Sequence, residues 1–179
     1  MIESRATHLI LVGLPGAGKS TVASLLADRL AIPYVDLDAE IERDAGHSVA
    51  QLFALDGEAM FRRREYKATE RLRVAPSSVV APGGGWITQP EVVALLCPPG
   101  RIIHLHVTPV TALGRMGNEV GRRPLLVDAD PLAALESIAA HRAAAYQTAD
   151  AVLDTETLSL QELVARAAAL ASSWGVGVG

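Results

Sequence analysis

His8-Leu-Ile-Leu-Val12, then Gly13-Leu-Pro-Gly-Ala-Gly-Lys-Ser-Thr21, then the run to Leu30, form the stretch whose reading decides the fold. The first five residues are a compact apolar run of strand length. After the glycines, Val22, Leu25, Leu26 and Leu30 recur at helical spacing. The junction between them fits G-x-x-x-x-G-K-[ST], with a further glycine at Gly16. Such a backbone turns so that several N–H groups aim at one point, and the positive end of the helix starting there faces the same anion. Lys19 can reach the outer phosphates of a nucleoside triphosphate, and the Ser20 hydroxyl can ligate Mg²⁺. A strand before the loop and an amphipathic helix after it set this turn apart from a chance glycine-rich one. The acceptor of any phosphoryl group stays unnamed at this point.

Working outward, strand-like and helix-like segments alternate. Strands are expected over 8–12, 32–35, 78–81, 101–107 and 151–153. Helices are expected over 19–30, 39–44, 49–55, 58–74, 91–96, 110–116, 131–148 and 160–171, with breaks at Gly46 and Gly57. This alternation predicts an α/β fold, a three-layer αβα arrangement with a parallel five-stranded sheet. Together with the phosphate loop it is the P-loop containing nucleoside triphosphate hydrolase type. The whole of 1–179 reads as one domain, with an acceptor-binding region about 36–74, a lid about 117–128 and a flexible tail about 173–179. Ligands of such sheets bind at the carboxyl ends of the strands. Three of those ends carry chemistry: Gly13 onward, Asp36, and Gly83 onward.

Composition narrows the classes. A chain of 179 residues that is 50% hydrophobic can bury a core and is too apolar to be disordered. A net charge of −4 gives no global footprint for nucleic acid. No run approaches the roughly 18 apolar residues of a membrane span, so a cytoplasmic protein is expected. Cys97 is the only cysteine, which excludes an intrachain disulfide, and its turn context reads as an inert thiol. Of 16 basic residues, only Lys19 and Lys67 are lysines. That bias reads either as arginine forks for small anions or as codon usage. His104 and His106 alternate on one strand face, but no third metal ligand is evident at suitable spacing, and they read as structural.

The acceptor side offers more. Asp36 and Asp38 follow the second strand, and alternation places both carboxylates on one side. One could hold Mg²⁺ through water and the other take a hydroxyl proton; equally, Asp38 could cap a helix starting near Ala39. Glu58, Phe61, Arg62 and Glu65 share a helix face, so Arg62 paired to Glu65 gives either a surface ion pair or a fixed guanidinium for a substrate carboxylate. Gly83, Gly84 and Gly85 permit close backbone approach. Arg122-Arg123-Pro-Leu-Leu126 lies in a polar loop able to close over phosphates, and Arg142 and Tyr146 are one turn apart on a long helix.

In this order, the set resembles the shikimate kinase family: the loop at 13–21, Asp36-x-Asp38, Gly57-Glu-x-x-Phe-Arg62-x-x-Glu65, the triple glycine at 83–85, Arg123-Pro-Leu-Leu126 and Arg142-x-x-x-Tyr146. The resemblance spans roughly 8–170. It implies phosphorylation of the 3-hydroxyl of shikimate with ATP and Mg²⁺ by a monomer, without nucleic-acid or membrane partners; the alternative is a gluconate-kinase-like enzyme acting on another hydroxylated acid. By the same resemblance, Gly16, Ala17, Gly18, Lys19, Ser20 and Thr21 hold phosphates, and Ser20 and Asp36 serve the metal. Lys19, Asp38 and Arg123 are catalytic, Asp38 taking the proton. The acceptor would meet Pro15, Asp38, Phe53, Phe61, Arg62, Glu65, Gly83, Gly84, Gly85 and Arg142. Arg115, Arg123, Asp154 and Thr155 would complete the nucleotide side. Pro82 and Trp86 flank the triple glycine where the family usually has small residues; the indole either packs outward or reshapes the acceptor site.

Overall fold

The computed structural model describes residues 7–117 and 130–177. Its strands are β1 Leu9–Val12, β2 Tyr34–Asp36, β3 Val79–Ala81, β4 Arg101–His106 and β5 Ala151–Asp154. They form one sheet in the order β2-β3-β1-β4-β5, with every pairing parallel. All residues of β1 and β3 are buried, as the unbroken apolar runs of strands covered on both faces require. Leu9 and Ile10 pair with Val79 and Val80 on one side, while Leu9 to Val12 pair with Arg101 to His104 on the other. Asp36 lies opposite Ala81. The loops that start at Gly13, Asp36 and Pro82 therefore leave one edge of the sheet side by side.

Seven helices are described: α1 Lys19–Leu30, α2 Leu37–Ala45, α3 Val49–Leu72, α4 Pro90–Leu96, α5 Pro109–Met116, α6 Pro131–Tyr146 and α7 Leu160–Ser173. Local chemistry accounts for their starts. Ser48 with Gln51, and Ser159 with Glu162, form capping boxes for α3 and α7, and prolines open α4, α5 and α6 at a position where the missing N–H is harmless. α1 packs against α7, α5 against α6, and α3 against α2 and α4.

Three expectations need correction, and a fourth holds. The acceptor-side helix begins at Leu37, so strand alternation does not align the two aspartates; Asp38 belongs to the helix, and a helical turn orients it. The break expected at Gly57, between the helices over 49–55 and 58–74, is present: that residue is non-helical (φ 75°, ψ 170°), and α3 is two helices that meet at a kink there. The histidine strand ends at His106. Finally, the expected flexible tail about 173–179 is packed as far as Gly177, where the described residues end: Trp174 lies beside the Arg101 guanidinium at 5.9 Å, and Val176 is buried with its N–H on the Ala171 carbonyl at 2.9 Å. Gly117 closes α5; the remainder of the expected lid, including Arg123, lies outside the described residues.

Candidate active site

The phosphate side is built where β1 hands over to α1. Gly18 stands at the N-cap of α1, and Gly16 has φ 81°. A side chain at Gly16 would also strike the Ala112 carbonyl of α5, so only glycine lets the loop lie this close to its neighbour. Ala17 is buried, with its N–H on the Leu14 carbonyl at 3.1 Å. Lys19 Nζ donates to the carbonyls of Gly13 (3.0 Å) and Leu14 (3.1 Å), which lays the ammonium along the loop. Ser20 and Thr21 are exposed in the first turn of α1, and Pro15 is half-buried.

Asp36 meets this loop through a residue that sequence reasoning missed. Tyr34 donates its hydroxyl to Asp36 Oδ2 at 3.2 Å and is itself hydrogen-bonded by the Ser20 side chain. Burial above all raises the pKa of that hydroxyl, keeping it a neutral donor. The available signal was its position two residues before Asp36, hence on the same side of a strand. Asp36 Oδ1 accepts the Ala39 N–H at 3.1 Å. The capping role considered for Asp38 thus falls on Asp36, which leaves the Asp38 carboxylate for something else.

Asp38 is largely buried. Its carboxyl pKa is pushed up to about 6, mainly by burial and then by the nearby charges of Glu65 and Asp36, with Lys19 opposing. Glu65 is wholly buried; its Oε2 accepts Arg62 Nη1 at 2.8 Å and Gln89 Nε2 at 2.6 Å. Arg62 also donates through Nη2 to Glu58 Oε1 at 2.9 Å. Burial works against the guanidinium's charge, but Glu65 and Glu58 outweigh it, and its pKa is raised. The ion pair that helical spacing predicts is therefore formed, with one partner in the interior. Phe61 meets Phe53 from across the Gly57 bend in a tilted contact, ring centres 4.7 Å apart and planes at 39°, and Arg62 lies 5.7 Å from the Phe61 ring centre.

Gly83, Gly84 and Gly85 are the floor on which these charges gather. A Cβ on Gly83 would sit 2.7 Å from Asp38 Oδ1 and 3.3 Å from Glu65 Oε1. On Gly84 it would strike the guanidinium of Arg142, and on Gly85 that of Arg62. Arg142 is buried on α6, and one turn further Tyr146 stacks on His104 at 4.1 Å. Burial, then His106 and Lys19, drives the His104 pKa down to about 4, so that ring is neutral packing. Four buried polar atoms in this cluster have no hydrogen-bond partner: Asp38 Oδ1, Glu65 Oε1, Arg142 Nη1 and, beside Arg142, the Tyr146 hydroxyl. Trp86, by contrast, turns away from the floor into the core, 1% exposed, its indole N–H donating to Thr69 Oγ1 at 3.0 Å.

On the far side of the phosphate loop, Arg115 donates to Thr155 Oγ1 (2.7 Å) and to the Thr155 carbonyl (2.6 Å), joining two segments expected to act together. Asp154 Oδ1 accepts the Glu156 N–H at 2.8 Å, the main reason its pKa is lowered. The fold also gives His106 the company that sequence spacing hid: Asp154 and Glu156 bring ligand atoms within 4.8 Å of it and of each other. Both carboxylates already serve local hydrogen bonds, Glu156 accepting from Thr108 at 2.8 Å. Burial raises the Cys97 thiol to about 12, consistent with an inert side chain. Among the described residues, no helix is long and apolar enough to cross a membrane.

Fold and site together define a P-loop kinase for small molecules. The family model for shikimate kinase matches residues 15–171. A shikimate kinase of Symbiobacterium thermophilum is 42% identical over 160 residues, spanning 88% of this chain and 92% of that protein. The chain belongs to the shikimate kinase family. A solved structure of shikimate kinase from Acinetobacter baumannii in complex with shikimate matches with a TM-score of 0.87 at 31% identity, covering 94% of each chain. A gluconokinase from Sinorhizobium meliloti matches with a TM-score of 0.62 at 15% identity, a likeness of fold alone.

Proposed function

We propose that this protein transfers the γ-phosphoryl group of ATP to the 3-hydroxyl of shikimate, releasing ADP and shikimate 3-phosphate. The observation that carries this reading is the convergence of Asp38 Oδ1, Glu65 Oε1 and Arg142 Nη1, all buried and unpartnered, around the glycine floor. Buried polar atoms are nearly always satisfied, so a set left open in one place calls for a ligand that satisfies them together. A compact ring acid with several hydroxyls does so. Its hydroxyls face Asp38 and Glu65, and its carboxylate faces Arg142 and Arg62, with Phe53, Phe61 and Pro15 as apolar walls. Asp38 orients the attacking hydroxyl and takes its proton. The backbone N–H groups of 16–21 with Lys19 hold the phosphates, Arg115 with Asp154 and Thr155 border the adenine, and Arg123 meets the transferred group.

The donor set by Tyr34 suits Mg²⁺: a serine hydroxyl and an aspartate, both hard oxygen ligands, tied to one phenol. Ser20 would ligate the ion directly and Asp36 through its waters. Bound there, Mg²⁺ offsets the charge on the phosphates during transfer. The activity is assigned to a monomer in the cytoplasm, where ATP is available as donor.

A coupled assay with ATP and Mg²⁺ against shikimate, quinate, gluconate and nucleoside monophosphates tests the assignment. Turnover should be confined to shikimate and stop when EDTA removes the metal. Turnover on another acid with none on shikimate overturns it.

A further inference from the structure

We propose that Gln89 is a positioning residue for the acceptor: its side-chain amide holds Glu65, and through Glu65 the Arg62 guanidinium, in place over the glycine floor. This rests on the proposed phosphorylation of shikimate and adds a residue to it.

Gln89 stands at the N-cap of α4, yet its side chain makes no capping hydrogen bond. It reaches back to α3 instead, where Nε2 lies 2.6 Å from Glu65 Oε2 and 3.4 Å from the Gly85 carbonyl. Both partners can only accept, so the chemistry itself determines which end of the amide faces them. Glu65 Oε2 then receives two donors from different elements, Arg62 Nη1 from its own helix and Gln89 from the segment after the glycines. Arg62 alone is a weaker anchor, because it divides its donors between Glu65 and the exposed Glu58. A second donor on a buried carboxylate settles its rotamer, which aims the unpartnered Oε1 at Gly83.

The backbone makes Gln89 a clamp. A short 3-10 turn over Trp86–Thr88 carries the chain from Gly85 to Gln89, with the Gln89 N–H on the Trp86 carbonyl at 3.2 Å. The Trp86 indole bonds Thr69, one helical turn beyond Glu65, and the Thr69 hydroxyl donates to the Glu65 carbonyl at 2.8 Å. The segment leaving the floor is thereby pinned to α3 at two points, Trp86 on Thr69 and Gln89 on Glu65. The first contact is buried structural bonding; the second ends on the charged pair that faces the acceptor. The register between Arg62 and Gly85, close enough that no side chain fits between them, follows from the second contact.

Gln89→Met, similar in length but without a donor, tests this in the full-length enzyme. The KM for shikimate, and its Kd by calorimetry without ATP, should rise about tenfold, as loss of a hydrogen bond to a charged group implies. Turnover should stay within about twofold with the KM for ATP unchanged, while the thermal midpoint falls by about 2–4 °C because the buried Glu65 loses one of its two donors. Gln89→His, which restores an N–H donor, should recover most of the affinity. In an Arg62→Ala background, Gln89→Met should raise the KM for shikimate further, because Glu65 Oε2 then loses both donors that hold it. A wild-type KM for shikimate in Gln89→Met overturns the role, as does a matching rise in both KM values, which marks plain packing. Failure of the unaltered enzyme to bind shikimate instead sinks the substrate assignment, and the role of Gln89 with it.

Discussion

Asp38 answers two opposed demands, and its environment makes both measurable. A carboxyl largely out of water, beside Glu65 and Asp36, has its pKa at about 6, above the ordinary aspartate range. Its burial is free of penalty while it is protonated in both folded and unfolded chains. As pH rises through about 6 the folded protein must hold a buried negative charge that the unfolded chain carries in water, and stability is lost. Asp38→Asn removes that charge. Above pH 7 the variant should be more stable by about 3 kcal/mol, the difference largely vanishing by pH 4 in denaturant titrations at the two pH values. Its turnover should fall about 10²- to 10⁴-fold while the KM for ATP holds. An unchanged turnover would remove Asp38 from the chemistry. At this scale the Arg62–Glu65 pair was legible because both residues lie on one helix face. Gln89 was not singled out because its partner Glu65 lies on another element; Tyr34 has Asp36 two residues along its own strand, but only the fold brings Ser20 of α1 to the same hydroxyl.

α3 shows what a single element contributes. It carries Phe53 before the Gly57 bend and Phe61, Arg62, Glu65 and Thr69 after it. The bend brings the two phenylalanines into contact at 4.7 Å, which an uninterrupted run of eight residues on a straight helix would not do. A Cβ at Gly57 would meet nothing within 4 Å, so any cost of Gly57→Ala is conformational alone. With φ 75° and ψ 170° that residue occupies a region essentially reserved for glycine, and the variant should lose about 1–3 kcal/mol. Because the acceptor-side charges follow the bend, the KM for shikimate should rise as well. Calorimetry and steady-state kinetics on the variant check both; an unchanged thermal midpoint would mean the bend carries no strain. The glycine signalled a break, but its local pattern did not show that the helix resumes on a neighbouring line.

Across the whole molecule, the sheet order decides which loops meet. Placing β1 between β3 and β4 sets the phosphate loop between the glycine floor and the α5 side that bears Arg115. The chain end belongs to this assembly too, since Val176 is 2% exposed and Trp174 packs beside Arg101. A chain ended at Ser173 should therefore lose about 2 kcal/mol or more, the worth of one buried aliphatic side chain, with kinetic constants little changed. Equal stability of the truncated chain in denaturant would return the tail to solvent.

The sequence alone determined the phosphate loop, the alternation that makes a parallel sheet and the order of acceptor-side motifs. Each of these is written in neighbouring residues or in the period of one element. Only the tertiary structure decided that Asp36 rather than Asp38 caps α2, that Trp86 turns into the core, and that Gln89 reaches Glu65. It also showed that His106 keeps company with Asp154 and Glu156. Those outcomes depend on which strands lie side by side and which faces are buried. Where several polar partners are possible, the packing of distant elements selects the one within reach.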